Sequence, residues 1–207
     1  SARDIAIMSA QLMRHEKILE FSSTWMDSIR DGAFTLTNTN RLVRFYDGAT
    51  GLKTGSTSKA GYCMSATAKR GELHLIAVIM GASSRDARNA SAKKLLDIGF
   101  AGKALFRCAG GELEPIPVHG TIGGSVVPVV QPFSRVIEKG QDGKVTTEYE
   151  LPEFLGTPVA QGQVIGRAVF SADGNVIGES EITASNAVDA ASFFDVFTQI
   201  MLKFLMN

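Results

Sequence analysis

Three runs of strand-forming residues, Leu52–Thr57, Tyr62–Lys69 and Leu73–Met80, stand almost end to end. Lys69-Arg70-Gly71-Glu72 is short and polar enough to join the last two as a hairpin. A helix is expected straight after them, opened by a capping box of Ser83 with Asp86, running to about Ile98 and stopped by Gly99 or Gly102. The order strand, strand, strand, helix points to an antiparallel sheet with packed helices, an α+β arrangement.

Upstream, Ser1-Ala-Arg-Asp4 reads as a capping box, and Ile5, Met8 and Leu12 follow at helical spacing with Ala6, Ala10 and Met13 alongside. A second helical or turn-like segment holds Ile18, Leu19, Trp25 and Met26. Phe34 and Leu36 alternate with Thr35 and Thr37 as a short strand that runs into Asn38-Thr39-Asn40-Arg41, and Asp47-Gly48 is a turn. A chain that opens on a helix cap, with no initiator methionine, is expected to be a piece of a longer protein.

The texture changes near Arg107. Gly110-Gly111, Pro115, Pro117, Gly123-Gly124, Pro128 and Pro132 punctuate short Val/Ile-rich runs, and Asp142-Gly143 and Asp173-Gly174 read as hairpin turns. No helix of ordinary length fits between Arg107 and Ala184, so a small all-β domain, sandwich or barrel, is expected there. After Asp189 the pattern returns to helix: Phe193, Phe197, Ile200 and Phe204 share one face, widened by Phe194, Met201 and Leu205. The expected organisation is therefore 1–106, an α+β unit; 107–187, an all-β domain; and 188–207, an amphipathic helix.

Charge follows the same division. Lys plus Arg and Asp plus Glu are equal at 21 each, yet residues 1–106 carry 15 basic and 9 acidic side chains and residues 107–207 carry 6 and 12. Overall neutrality gives no field for nucleic acid, and the basic first part suits an anionic ligand. With 44% hydrophobic and 20% charged residues, wholesale disorder and a multi-pass membrane protein are excluded. Cys63 and Cys108 are isolated and the histidines are His15, His74 and His119, so neither a disulfide framework nor a zinc site is expected, and no cofactor is implied.

The chemistry concentrates in Gly51-Leu52-Lys53-Thr54-Gly55-Ser56-Thr57. A strand lysine followed by a hydroxyl residue and a glycine can bind a carboxylate. The ammonium supplies charge, Thr54 supplies a directed hydrogen bond, and Gly55 leaves room for a ligand along the strand. An ion pair at about 4 Å contributes up to roughly 4 kcal/mol at an intermediate effective dielectric. By itself the triplet Lys-Thr-Gly is also what a solvated strand lysine looks like.

With its continuation, Ala60-Gly61-Tyr62-Cys63-Met64-Ser65-Ala66-Thr67-Ala68 and then Leu75-Ile76-Ala77-Val78-Ile79-Met80-Gly81-Ala82, the stretch resembles the penicillin-binding-protein type D-alanyl-D-alanine carboxypeptidases. These are serine enzymes that trim peptidoglycan stem peptides. The resemblance covers essentially the whole chain as the C-terminal half of such an enzyme, with residues 1–106 as the end of its transpeptidase-like catalytic domain. It implies that Lys53 and Thr54 bind the terminal carboxylate of D-Ala-D-Ala, that Gly55 lies along the bound substrate, and that the Ser56 N–H is half of an oxyanion hole. Arg88 matches a family arginine that fixes the carboxylate end; it also reads as an exposed helix-face charge. Asn38-Thr39-Asn40-Arg41-Leu42 matches the stretch that supports the cleft floor, or is a plain loop.

The family uses Ser-x-x-Lys, Ser-x-Asn and Lys-Thr-Gly. Ser-x-Asn is absent from this sequence, and Ser-x-x-Lys occurs only as Ser56-Thr57-Ser58-Lys59 and Ser91-Ala92-Lys93-Lys94, both wrongly placed for a nucleophile. No complete catalytic set is therefore expected in this chain. The implied partners are peptidoglycan stem peptides, β-lactam antibiotics, a membrane surface met by the C-terminal helix, and a missing N-terminal half or a second copy. The implied location is the outer face of the cytoplasmic membrane. The tail could instead pack on the β domain. Cys63 reads as a packing residue or a reactive thiol, and the whole chain could be a non-catalytic cell-wall or partner-binding module. A β-lactamase-like hydrolase would share Lys-Thr-Gly but would not normally carry the β domain and tail.

Overall fold

In the computed structural model, which describes residues 1–205, Ser1 caps the first helix as its spacing predicts. Its Oγ accepts from the Asp4 amide at 3.4 Å, and the Asp4 carboxylate accepts from the Ser1 ammonium at 2.7 Å. Met206 and Asn207, the end of the expected 188–207 segment, lie outside the described residues. The chain forms two units, Ser1–Ala104 and Leu105–Asn207.

The first unit runs α1 (Ala2–Leu12), α2 (Glu16–Ser22), β1 (Met26–Ile29), β2 (Phe34–Thr37), α3 (Leu42–Phe45), β3 (Ala49–Thr57), β4 (Gly61–Arg70), β5 (Leu73–Ala82) and α4 (Arg85–Gly102). Strands β3, β4 and β5 pair antiparallel in that order, as the α+β reading expects. Alternation along β4 then sorts its side chains. Met64, Ala66 and Ala68 join Ala92, Leu96 and Phe100 of α4 in one apolar cluster. On the opposite face, Ser65 exchanges a buried 2.7 Å hydrogen bond with Ser9 of α1. Small residues in β4 let helices lie close on both sides of it.

Several local expectations shift. Trp25 and Met26 leave the helix: Met26 starts β1, which pairs with β2 around a turn whose Arg30, Asp31 and Gly32 all have positive φ. The cap of α4 is Ser84, not Ser83, its Oγ accepting from the Ala87 amide at 3.1 Å. β5 continues through Ala82, so the chain turns one residue later than the Ser83–Asp86 spacing predicts, and Asp86 does not close a capping box. Nor does Gly99 stop the helix. A Cβ there would stand 2.6 Å from Leu75 Cδ1, so this glycine permits α4 to cross β5, and the helix ends at Gly102.

The far end of the sheet is fastened by a mixed clamp. The Arg70 guanidinium lies 5.0 Å from the Tyr46 ring centroid and 4.5 Å from that of Phe100. Tyr46 Oη donates to Asp97 at 2.7 Å, and burial, reinforced by that bond, pushes the phenol up to about 12. Gly48 makes the turn beside it at φ +77°, where a Cβ would fall 2.3 Å from the Lys69 carbonyl oxygen.

The second unit continues with β6 (Lys103–Cys108), β7 (Gly111–Glu112), β8 (Ile116–His119), β9 (Ser125–Val126), β10 (Pro128–Val130), β11 (Phe133–Glu138), β12 (Val145–Glu150), β13 (Leu155–Gly156), β14 (Val164–Ala172), β15 (Asn175–Ala184) and α5 (Phe193–Leu205). One sheet has the order β12-β14-β15-β10-β7, a smaller one pairs β11 with β6, and a third has the order β13-β8-β9. Phe106 and Phe133 of the β6–β11 pair pack on Phe170 of β14, centroids 5.5 and 4.8 Å away, beside Val130, Ala168 and Ile182. Asp173-Gly174 forms the predicted hairpin between β14 and β15, both residues at positive φ. Asp142-Gly143 does not form one. It lies in a single 3-10 turn, Asp142–Lys144, and the strands on either side of that turn, β11 and β12, belong to different sheets.

α5 is opened by a reciprocal cap, in which Ser192 N donates to Asp195 Oδ2 at 2.8 Å and Asp195 N to Ser192 Oγ at 3.2 Å. The Ser192 bonds hold the Asp195 carboxyl below its usual pKa. No residue of the described helix is buried; Phe193, Phe194, Phe204 and Leu205 are each at least 75% exposed. Among the described residues no helix is long and apolar enough to cross a membrane.

Two outcomes test this account. Gly48→Ala is expected to destabilise the first unit by about 2–4 kcal/mol, through a strained φ and a clash with backbone. Denaturant unfolding followed by the fluorescence of Trp25, the single tryptophan of the chain, reads that unit. A loss below about 0.5 kcal/mol would contradict the close approach. His74 bonds Thr50 Oγ1 at 2.8 Å, and burial, then the neighbouring Lys69 charge, holds its pKa below 6.5. On acidification the unfolded chain therefore takes up this proton first. The His74 contribution is complete above pH 6.5 and is lost as pH falls from there through the folded-state pKa. Unfolding midpoints measured between pH 8 and 5 should fall less steeply for His74→Gln than for the parent protein.

Candidate functional site

Among the described residues β3 is an edge strand, paired only with β4 in its sheet. Its register sets Lys53 opposite Ser65, Thr54 opposite Met64, Gly55 opposite Cys63 and Ser56 opposite Tyr62. Residues opposite one another project from the same face, so Lys53 shares the face on which Ser65 meets α1. Lys53, Thr54, Gly55, Cys63 and Ser65 line one side of a cavity of about 760 Å³, and Ile5, Met8, Leu12, Ile18 and Phe21 of α1 and α2 line another.

Along β3 the polar groups are held in order. Lys53 is exposed, and its Nζ folds back to donate to the Thr54 carbonyl at 2.6 Å. Thr54 is buried, with its Oγ1 2.8 Å from Thr39 Oγ1. A Cβ on Gly55 would meet no atom within 4 Å, so the space beside the strand at that point is free of protein. Ser56 is exposed and lines a separate depression with Thr57–Tyr62 and Gly81–Ser83.

The polar stretch before the strand is a brace. Asn38 donates from Nδ2 to the Ser22 and Thr24 carbonyls at 3.2 and 3.0 Å, and its Oδ1 accepts from the Asn40 amide at 2.9 Å. Asn40, 1% exposed, donates to the Gly51 carbonyl at 2.8 Å and accepts from the Leu42 amide at 3.1 Å. Ser22 in turn donates to the Thr50 carbonyl at 2.6 Å. The start of β3 is thereby tied to α2 and to the segment preceding α3.

Arg88 lies elsewhere. It is buried rather than an exposed helix-face charge, and its Nε and Nη2 donate to Asn89 Oδ1 at 3.2 and 3.0 Å. Burial, then repulsion from Arg85, holds its pKa below the usual guanidinium value, while Cys63 and Tyr62 act in the opposite sense. It does not line the cavity that Lys53 lines. Cys63 is half-buried, lines the cavity and donates weakly to the Ala60 carbonyl at 3.5 Å.

Chemically, this edge offers donors to an acceptor-only group. An ammonium, a hydroxyl able to donate and a glycine with open space beside it are the elements that an anionic acceptor would need. The edge does not assemble a nucleophile with its base. Ser56 sits in β3 while Lys59 lies in the following turn, and Ser91 and Lys94 are on the exposed surface of α4. Among the described residues no group of three or more His, Cys, Asp or Glu side chains could hold a metal ion. The sequence signals the strand motif, but the Thr39–Thr54 and Ser9–Ser65 pairs join residues 15 and 56 positions apart that no local pattern connects.

Residues 1–84 match the family described as D-alanyl-D-alanine carboxypeptidase, and residues 125–190 match the penicillin-binding protein 5 C-terminal domain. D-alanyl-D-alanine carboxypeptidase DacF of Bacillus subtilis is 35% identical, the match covering 97% of this chain and 54% of that protein. DacA of Haemophilus influenzae is 33% identical over 94% of this chain and 51% of its own length. The chain thus spans about half the length of the curated relatives it matches. Among solved structures, penicillin binding protein 5 of Haemophilus influenzae superposes with a TM-score of 0.77 at 32% identity, covering 91% of this chain and 56% of that one. Penicillin binding protein 6B of Escherichia coli gives 0.63 at 26% identity, covering 87% and 49%.

Proposed function

This chain belongs to the penicillin-binding-protein type D-alanyl-D-alanine carboxypeptidase family, whose C-terminal part it matches, and on that premise we propose that it supplies the carboxylate-binding side of the catalytic cleft. The Lys53 ammonium and the Thr54 hydroxyl hold the terminal carboxylate of a D-Ala-D-Ala stem peptide lying along β3 past Gly55. The Ser56 N–H is one oxyanion donor, and Arg88, buried on Asn89 and not lining the cavity that Lys53 lines, adds only its positive charge rather than a contact. The nucleophilic serine and its base come from an N-terminal half. Serine attacks the peptide carbonyl, D-alanine leaves, and water releases the peptide from the acyl-enzyme. A β-lactam acylates the same serine.

The observation that carries this reading is the juxtaposition on one strand edge of an ammonium held at 2.6 Å on its own backbone, a hydroxyl held at 2.8 Å, and a glycine with no protein atom beside it. The apolar cavity supports the need for a second half. Met8 and Phe21 are 66% and 67% exposed, an apolar surface that water disfavours. Residues 1–106 are then the end of the catalytic domain and 107–187 a spacer. The segment 188–207 is an anchor in the interface of the cytoplasmic membrane, on its outer face. That no residue of the described part of α5 is buried favours an anchor over packing on the β domain.

Joined to a serine-bearing N-terminal half, the chain is expected to release D-alanine from a D-Ala-D-Ala peptide, and Lys53→Ala should lower kcat/KM about 100-fold with the fold intact. An unchanged kcat/KM would overturn the carboxylate role. The 207-residue chain alone should not be labelled covalently by fluorescent penicillin, whereas labelling would place a working nucleophile within it. For the tail, Phe197→Glu with Phe204→Glu should abolish co-sedimentation with neutral phosphatidylcholine vesicles. Retained sedimentation, or equal loss from the parent protein, would remove the anchor.

A further inference from the structure

We propose that Thr39 is a positioning residue whose hydroxyl turns the Thr54 proton toward the ligand and so makes this site prefer a free carboxylate over a carboxamide. The inference rests on the carboxylate reading of Lys53 and Thr54. Thr39 and Thr54 stand with their Oγ1 atoms 2.8 Å apart, so one donates to the other. Each hydroxyl carries one proton. If Thr54 donated to Thr39, it would have none left for a carboxylate, which only accepts. Binding a carboxylate therefore requires Thr39 to be the donor, and that leaves Thr54 as a donor toward the cleft.

The structure gives Thr39 the fixed position this needs. Both of its neighbours are anchored, Asn38 on the Ser22 and Thr24 carbonyls and Asn40 on the Gly51 carbonyl, two residues before Lys53 on the same strand. Thr54 itself is only 9% exposed, so water has little access with which to replace a lost partner. With Thr39 donating, one lone pair of the Thr54 oxygen is occupied and its proton is turned outward, so that Lys53 and Thr54 both offer donors to the ligand end. A carboxylate oxygen satisfies them, whereas the NH₂ of a carboxamide meets donor with donor. Without Thr39, the Thr54 hydroxyl is free to turn and accept from an amide.

The test uses this chain joined to a serine-bearing N-terminal half, with peptide substrates ending in D-Ala-D-Ala carboxylate or its carboxamide. Thr39→Val should raise KM for the carboxylate about tenfold with kcat within about twofold, and leave kcat/KM for the carboxamide unchanged or higher. Thr39→Ser should restore the parent behaviour, and Thr39→Val should add nothing in a Thr54→Val background. If Thr39→Val does not fold, Thr39→Ala gives the same comparison. Equal losses for both substrates, parent-like kinetics, or an undiminished loss in the Thr54→Val background would overturn the proposal. Failure of the underlying reading looks different: Lys53→Ala would then leave the carboxylate substrate unaffected.

Discussion

The first unit depends on one strand being buried on both faces. β4 carries small side chains at Ala66, Thr67 and Ala68, all inaccessible to solvent, because α4 lies on one side of it and α1 approaches the other. A larger residue on either face would push a helix away. With β4 central and β5 next to α4, the remaining strand β3 is left at the edge. An edge strand has unpaired backbone groups and open space beside it, a hazard for aggregation but also the place where an extended peptide can be received. The position of Lys53-Thr54-Gly55 thus follows from the packing of residues such as Ala66, Thr67 and Ala68 that do not line its cavity.

Rigidity at that edge comes from short polar side chains rather than from apolar burial. Asn38 and Asn40 donate to the end of α2 and to the backbone of β3, and the hydroxyls of Thr39 and Thr54 are paired. Side chains of this kind, with one or two rotatable bonds, lose little entropy on ordering and fix direction as well as distance. That is what a site for a small anionic group requires, because an ammonium alone attracts without orienting.

Both units leave apolar surface in water. In the first it is the cavity wall of α1 and α2; in the second it is α5. Such surfaces are costly unless covered, and the curated relatives are nearly twice as long as this chain. Under the proposed function the two surfaces receive different solvents: protein from the remaining half of the catalytic domain, and lipid at the membrane interface. The charge division fits that arrangement, the basic unit meeting an anionic peptide end and the acidic unit carrying a helix that binds through apolar side chains.

Much of the fold class was legible because it rests on short-range signals. Alternation marked β3, β4 and β5, a tight polar connection made two of them antiparallel, and Ser1 with Asp4 announced α1. The family, too, was legible from Gly51–Thr57, Ala60–Ala68 and Leu75–Ala82. Signals failed where the sequence held two equal options. Ser83 and Ser84 both suit a cap, and only the extent of β5 chose between them. Asp142-Gly143 is as good a turn as Asp173-Gly174, but the partners of β11 and β12 lie in different sheets. Sequence alone therefore determined where an ammonium, a hydroxyl and a glycine stand in succession and which segments are strand or helix, because those depend on side-chain chemistry and periodicity along the chain. Tertiary structure decided that Arg88 is buried on Asn89, that Thr39 meets Thr54, and that Lys53 borders a cavity. Contacts between residues far apart in the chain are set by how whole elements pack, which no local pattern encodes.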